Sequence, residues 1–219
     1  MFQHVNGIQL YYEVVGSGSP LVMVHGNGED HTIFNEAVDI LKDRFTVYTV
    51  DSRDHGQSTK VSELHYSDMA DDLLVFLNDL DLKDVTFYGF SDGGIIGLLL
   101  AQKTDRLSRL IVSGANLTPD GVKSSLRLFI KIMYFFTKDS KLKMMLNEPH
   151  ITAESLSAIS VPTTVMAGEK DLIRKKETEA IAAAIPGSKL RIIKGEGHGS
   201  YIVHKTRIAE LIMEESSQD

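Results

Sequence analysis

The 219-residue chain contains no cysteine. Disulfides, thiolate catalysis and cysteine-ligated metals are therefore excluded. It also lacks a long hydrophobic run. The longest candidate, Leu126 to Phe136, is interrupted by Arg127 and Lys131 and falls short of the roughly 20 residues that cross a bilayer. The opening Met-Phe-Gln-His-Val-Asn-Gly has neither the basic region nor the apolar run of a secretory signal, so the expected location is cytoplasmic. Cationic excess is missing as well. The net charge of −7 argues against nucleic acid or an anionic membrane surface as main partner. Internal repeats and low-complexity segments are absent. What remains, 42% apolar and 24% charged residues, is the composition of a globular domain with a sizeable core.

The N-terminus reads as a hairpin, strands Phe2–Val5 and Ile8–Val15 around the turn pair Asn6-Gly7. Beyond the breaker Gly16–Pro20, strands and helices alternate. Leu21–Val24, Phe45–Val50, Val85–Tyr88, Leu110–Val112, Thr163–Ala167 and Leu190–Ile193 read as strands. Thr32–Leu41, Tyr66–Leu80, Gly93–Gln102, Lys175–Ala184 and Lys205–Glu214 read as helices. The alternation predicts an α/β fold, a mostly parallel sheet of about eight strands covered by helices on both faces. One domain accounts for 1–219, with a core of 1–116 and 160–219 and a helical cap inserted at 117–159. Within the cap, Thr118-Pro119 is a helix-start signal. Leu126, Phe129, Ile130, Met133 and Phe136 follow at helical spacing. Leu128, Ile132, Tyr134 and Phe135 extend the apolar surface to other faces. Such a helix must be covered on several faces or line a cavity; it reads as part of a small cap over the sheet, with ordinary core packing as the alternative.

Ligands of open parallel sheets bind beyond the carboxyl ends of the strands, and polar, glycine-rich residues recur there. Val85–Tyr88 leads into Gly89-Phe90-Ser91-Asp92-Gly93, a Gly-x-Ser-x-Gly pattern. A sharp strand–turn–helix bend at such a serine needs small residues two before and two after. A phosphate-binding reading fails for want of a Gly-Lys-Ser/Thr ending. A serine hydroxyl needs a base. His198, in the loop after the last strand, has the best context of eight histidines. His25 reads as loop scaffolding and His55 as part of a tight turn; the other five read as surface or packing residues. The base needs an acid to orient it. Asp171 follows a strand, and Glu169 is its nearby rival. Two N–H donors should face a developing oxyanion: that of Asp92, and one from the loop after Leu21–Val24, at Asn27. The Asp92 carboxylate would oppose an oxyanion, so its side chain is expected to turn away or bind a helix-end N–H. No histidine pair has a recognised metal-ligand spacing, and neither metal nor cofactor is expected.

In order, the hairpin start, VHGNG, DSRDHGQS, GFSDGG, VPTTVMAGEKD and GEGHGS resemble the α/β-hydrolase superfamily along nearly the whole chain. The resemblance implies Ser91 as nucleophile, Asp171 as acid, His198 as base, and the amides of Asn27 and Asp92 as oxyanion hole. DSRDHGQS looks like a supporting turn of that family, with Asp54 where glycine is usual. The implied activity is a serine hydrolase that cleaves small carboxylic esters through an acyl-enzyme. The same residues would also serve acyl or peracid transfer, thioester cleavage or C–C bond hydrolysis, and a hydrolase-like fold can act as a non-catalytic receptor. The small cap implies an open or shallow pocket for a small acyl substrate, lined by Leu126, Phe129, Met133 and Phe136.

Overall fold

A computed structural model describes residues 1–217. Its strands and helices, in chain order, are β1 (Phe2–Val5), β2 (Ile8–Gly16), β3 (Ser19–Val24), α1 (Asn35–Leu41), β4 (Phe45–Val50), α2 (Tyr66–Asp79), β5 (Val85–Phe90), α3 (Asp92–Leu100), β6 (Leu107–Ser113), α4 (Ser124–Thr137), α5 (Ser140–Asn147), α6 (Ala153–Leu156), β7 (Thr163–Gly168), α7 (Lys175–Ala184), β8 (Lys189–Ile193) and α8 (Arg207–Ser216). The first hairpin turns on Asn6 and Gly7, both at positive φ, the conformation that matches the twist of the flanking strands.

The eight strands form one sheet in the order β1-β2-β4-β3-β5-β6-β7-β8. β1 with β2 and β2 with β4 are antiparallel; every other pairing is parallel. Alternate strand residues enter opposite cores. Val22, Val24, Phe87, Leu110 and Val112 pack with α2 and α3 on one face, while Leu21, Met23, Tyr88, Ile111 and Met166 pack with α1 and α8 on the other. β4 lies on one side of β3 and β5 on the other. The chain thus reverses its direction of sheet growth at β3, and such a switch point opens a crevice at the strand ends. No helix of the described residues is long and apolar enough to cross a membrane.

The insertion between β6 and β7 departs from the sequence reading in two ways. Pro119–Gly121 forms only a single 3-10 turn, and the long helix starts at Ser124. Val122 is extended and bridges to Ile173, with Lys123 N donating to Leu172 O and Arg174 N to Gly121 O. This pairing fixes the chain beside the segment that precedes α7 and delays the helix. Secondly, α4 is not covered on several faces. Ile130 is its one buried residue, while Leu128, Phe129, Ile132, Phe135 and Phe136 are between 49% and 76% exposed. Farther along, the insertion is tied to the core by Lys141 Nζ, 2.5 Å from Asp54 Oδ2, and by Glu148, which accepts from His65 Nδ1 and from the N–H of Tyr66.

Candidate active site

β5 ends in the bend that the glycine pattern anticipates. Ser91 has φ 53° and ψ −111°, a sparsely populated conformation that costs on the order of 1–3 kcal/mol unless its surroundings impose it. They do so through Ser91 N, which donates to Ser113 O at 2.7 Å, and Gly93 N, which donates to His25 O at 3.1 Å. The flanking glycines are steric necessities. A Cβ on Gly89 would lie 2.1 Å from Gly93 O, and one on Gly93 would lie 2.2 Å from Val24 O.

The bend brings Ser91 Oγ within 3.0 Å of His198 Nε2. On the far side of the ring, His198 Nδ1 lies 2.6 Å from Asp171 Oδ1. With the proton on Nδ1, Nε2 is an acceptor aimed at the serine hydroxyl. Asp171 is itself fixed, Oδ1 accepting from Ile173 N at 2.8 Å and Oδ2 from Gly168 N at 3.2 Å. Burial would raise its carboxyl, but the hydrogen bonds from His198 and the two backbone N–H groups outweigh this and hold it below its ordinary range. The rival, Glu169, instead accepts from Gly195 N. Gly114, which sequence reasoning passed over, makes room for the imidazole: its φ is +67°, and a Cβ there would lie 2.7 Å from His198 Cε1.

Asn27 and Asp92 flank the serine. Neither backbone N–H has a hydrogen-bond partner among the described residues, as expected for Asp92 at the first turn of α3. The Asp92 side chain does turn away, but not to a helix end. Buried to 4% exposure, it accepts from Asn27 Nδ2 at 2.9 Å and from Tyr66 Oη at 2.8 Å. Burial raises its carboxyl, and the hydrogen bonds from Asn27 and Tyr66 offset only part of that rise. One carboxylate therefore ties Asn27 and Tyr66 to the start of α3. Tyr66 carried no site signal in the sequence, since it reads as the start of an amphipathic helix.

A cavity of about 240 Å³ opens over Ser91 and His198, lined also by Gly26, Asn27, Glu29, Phe90, Leu126, Phe129, Ile130, Leu142 and Met145. Of the four residues expected there, Leu126 and Phe129 line it and Met133 and Phe136 do not. The helix turns these two outward, Phe136 to 76% exposure, and Ile130, Leu142 and Met145 take their place because α5 packs beside α4. Glu29 is an unforeseen lining residue whose Oε2 accepts from Gly26 N at 3.0 Å. Burial raises its carboxyl. A second cavity, of about 290 Å³, lies behind Asp171 and includes neither Ser91 nor His198.

The remaining polar residues brace the loops. His25 Nδ1 meets Gly26 O at 2.7 Å, and its Nε2 accepts from Ser52 N at 3.1 Å, which ties the Asn27 loop to the β4 loop. His31, expected at the surface or in ordinary packing, is buried with Nδ1 2.8 Å from Asp51 Oδ1. Asp30, His31 and Asp51 hold their ligand atoms within 4.8 Å of one another, the spacing of a cation site. Three of their four carboxylate oxygens already accept hydrogen bonds: Asp51 Oδ1 from His31 N, Asp51 Oδ2 from Gln57 N, and Asp30 Oδ1 from Thr32 N. Arg53 makes two 2.6 Å bonds to Asp72.

The family model described as alpha/beta hydrolase fold matches residues 19–130. An uncharacterised protein of Mycobacterium tuberculosis is 33% identical over 124 residues, 54% of this chain, and the match spans only 36% of that relative's length. The AB hydrolase superfamily protein YisY of Bacillus subtilis is 26% identical over 96% of each chain. Among solved structures, a thermophilic esterase from Thermogutta terrifontis superposes with a TM-score of 0.78 at 26% identity, covering 99% of this chain and 96% of its own. With the matched segment running from β3 into α4 through the serine bend, the chain belongs to the α/β-hydrolase-fold family.

Proposed function

We propose that this protein is a serine hydrolase that cleaves small carboxylic esters through an acyl-enzyme formed on Ser91. The observation that carries the reading is the continuous chain Ser91 Oγ, His198, Asp171, at 3.0 and 2.6 Å. Ser91 Oγ attacks the ester carbonyl carbon as His198 Nε2 takes the hydroxyl proton. Asp171 holds the tautomer and stabilises the imidazolium. The oxyanion receives the N–H groups of Asn27 and Asp92, each such donor contributing about 3–4 kcal/mol in comparable sites. Collapse expels the alcohol with the proton from His198. Water, deprotonated by the same nitrogen, then attacks the acyl-enzyme and releases the acid.

The cavity supports a small acyl group: about 240 Å³, walled by Leu126, Phe129, Ile130, Leu142 and Met145, it falls below the usual range for drug-sized ligands. The esterase likeness points the same way. Turnover of short-chain p-nitrophenyl esters and labelling by a fluorophosphonate probe test the reading. Wild type should do both and Ser91→Ala neither; equal rates in the two proteins would sink it.

A further inference from the structure

The outer surface of α4 is unlike the rest of the molecule. Six of the eleven large hydrophobic side chains exposed in the described residues lie on this helix. Leu128, Ile132, Phe135 and Phe136 recur at i, i+4, i+7 and i+8, a continuous strip along one side. A helix of a monomeric domain rarely leaves such a strip bare.

Beside it runs a second row. Arg127 and Lys131 lie at i and i+4 on one flank of α4, and Lys123 and Lys138 cap the two ends of the helix. The neighbouring carboxylates are engaged, Asp120 with Arg127 and Asp139 as the cap of α5. Lys123 and Lys131 have no carboxylate partner among the described residues, and Lys138 Nζ sits 5.0 Å from the Phe135 ring. In a chain of net charge −7, this is a local cationic border around an apolar strip.

We infer that α4 is a docking surface for an anionic lipid interface, with Leu128, Ile132, Phe135 and Phe136 entering the acyl region and the cationic row meeting the headgroups. The charge pattern selects this occupant over a second copy of the chain. Two copies paired antiparallel through the strip would set cation row against cation row, and two copies paired parallel would set it against the uncharged flank of Phe129 and Met133, so neither two-fold arrangement gives the cations an anionic partner. An anionic bilayer satisfies both rows, in the manner of amphipathic helices that lie in the membrane plane. Continuity with the cavity adds to this: Phe129 belongs to α4 and also lines the space over Ser91. The whole-chain charge, which pointed away from membranes, does not describe this face.

The test is co-sedimentation with vesicles of equimolar phosphatidylglycerol and phosphatidylcholine, against vesicles of phosphatidylcholine alone, for wild type, Lys131→Glu and the double variant Phe135→Ser, Phe136→Ser. All three substituted side chains are exposed, and circular dichroism melts check that the variants stay folded. Wild type should bind the anionic vesicles and release them in high salt. Lys131→Glu should weaken binding by about tenfold or more, and the double variant should abolish it. No wild-type binding, equal binding to both vesicle types, or binding unaffected by the substitutions would overturn the inference. So would a dimer in light scattering that the phenylalanine substitutions dissociate. Probe labelling of Ser91 in vesicle-free solution is a separate readout, so either proposal can fail without the other.

Discussion

Replacing His25 with asparagine should flatten the acid side of the stability profile. The imidazole is 1% exposed. Burial, and then the neighbouring His55, lower its pKa from the ordinary 6.5 to about 4, against the opposing pull of the Gly26 carbonyl. In the folded protein the ring is therefore neutral where the unfolded chain already carries a proton. The unfolded state binds the extra proton between these two values, so stability is full above about pH 6.5 and is lost as the pH falls toward 4. At roughly 1.4 kcal/mol per unit, the whole window is worth on the order of 3 kcal/mol, of which about 2 kcal/mol is spent between pH 7 and pH 5. Asparagine does not titrate. At neutral pH the variant should be less stable, because bonds to Gly26 O and from Ser52 N are lost at about 1 kcal/mol each. Urea unfolding followed by far-UV circular dichroism at pH 7 and pH 5 measures the difference. The wild type should lose about 2 kcal/mol more than the variant between the two conditions. Parallel losses would show that His25 is not held neutral by its burial.

Other consequences are as direct. Gly93→Ala, whose Cβ would meet Val24 O at 2.2 Å, should lower stability by more than about 2 kcal/mol in thermal melts. Gly28→Ala, at φ +74° with open space around it, should cost only about 1–2 kcal/mol. Asp92→Ala strips the acceptor from Asn27 Nδ2 and Tyr66 Oη, at about 1–3 kcal/mol for each orphaned donor. It should also slow acylation in stopped-flow traces while KM changes little; wild-type acylation would count against the grip on Asn27. Asp171→Asn should slow acylation on the order of 10³-fold or more at neutral pH. The Asp171 carboxyl is held below its ordinary range, so its contribution to stability is present above about pH 4 and vanishes as pH falls through the lower folded value. Unfolding curves of wild type and variant should therefore converge at low pH.

Strands were legible in the sequence because β3, β5 and β7 are buried on both faces and carry short, continuous apolar runs. The serine bend was legible because its steric demands fall on two glycines at fixed spacing. Less could be read where the deciding partner lies far along the chain. Glu169 and Asp171 are two residues apart, and only the path of the β8 loop sets one against Gly195 N and the other against His198. Asp92 finds its acceptor role through Tyr66, on a different helix. Nor could the apolar run of α4 show what covers it. Hydrophobic spacing reports a helix and its faces, but not whether a neighbour exists for each face. Met133 and Phe136 were expected in the cavity for that reason, and they face outward.

The ties that hold the insertion also divide it. Val122 is fixed to Ile173 at one end of α4, and Lys141 to Asp54 just beyond the other. Between those two points the chain can change in length or composition without lengthening the loops that carry Ser91, His198 or Asp171. The entropy of closing the remaining loops is already set by the anchors. α4 is thus an exchangeable cassette on a fixed frame: variation there can retune which surface the protein meets and how its cavity is roofed, while the geometry beneath is inherited unchanged.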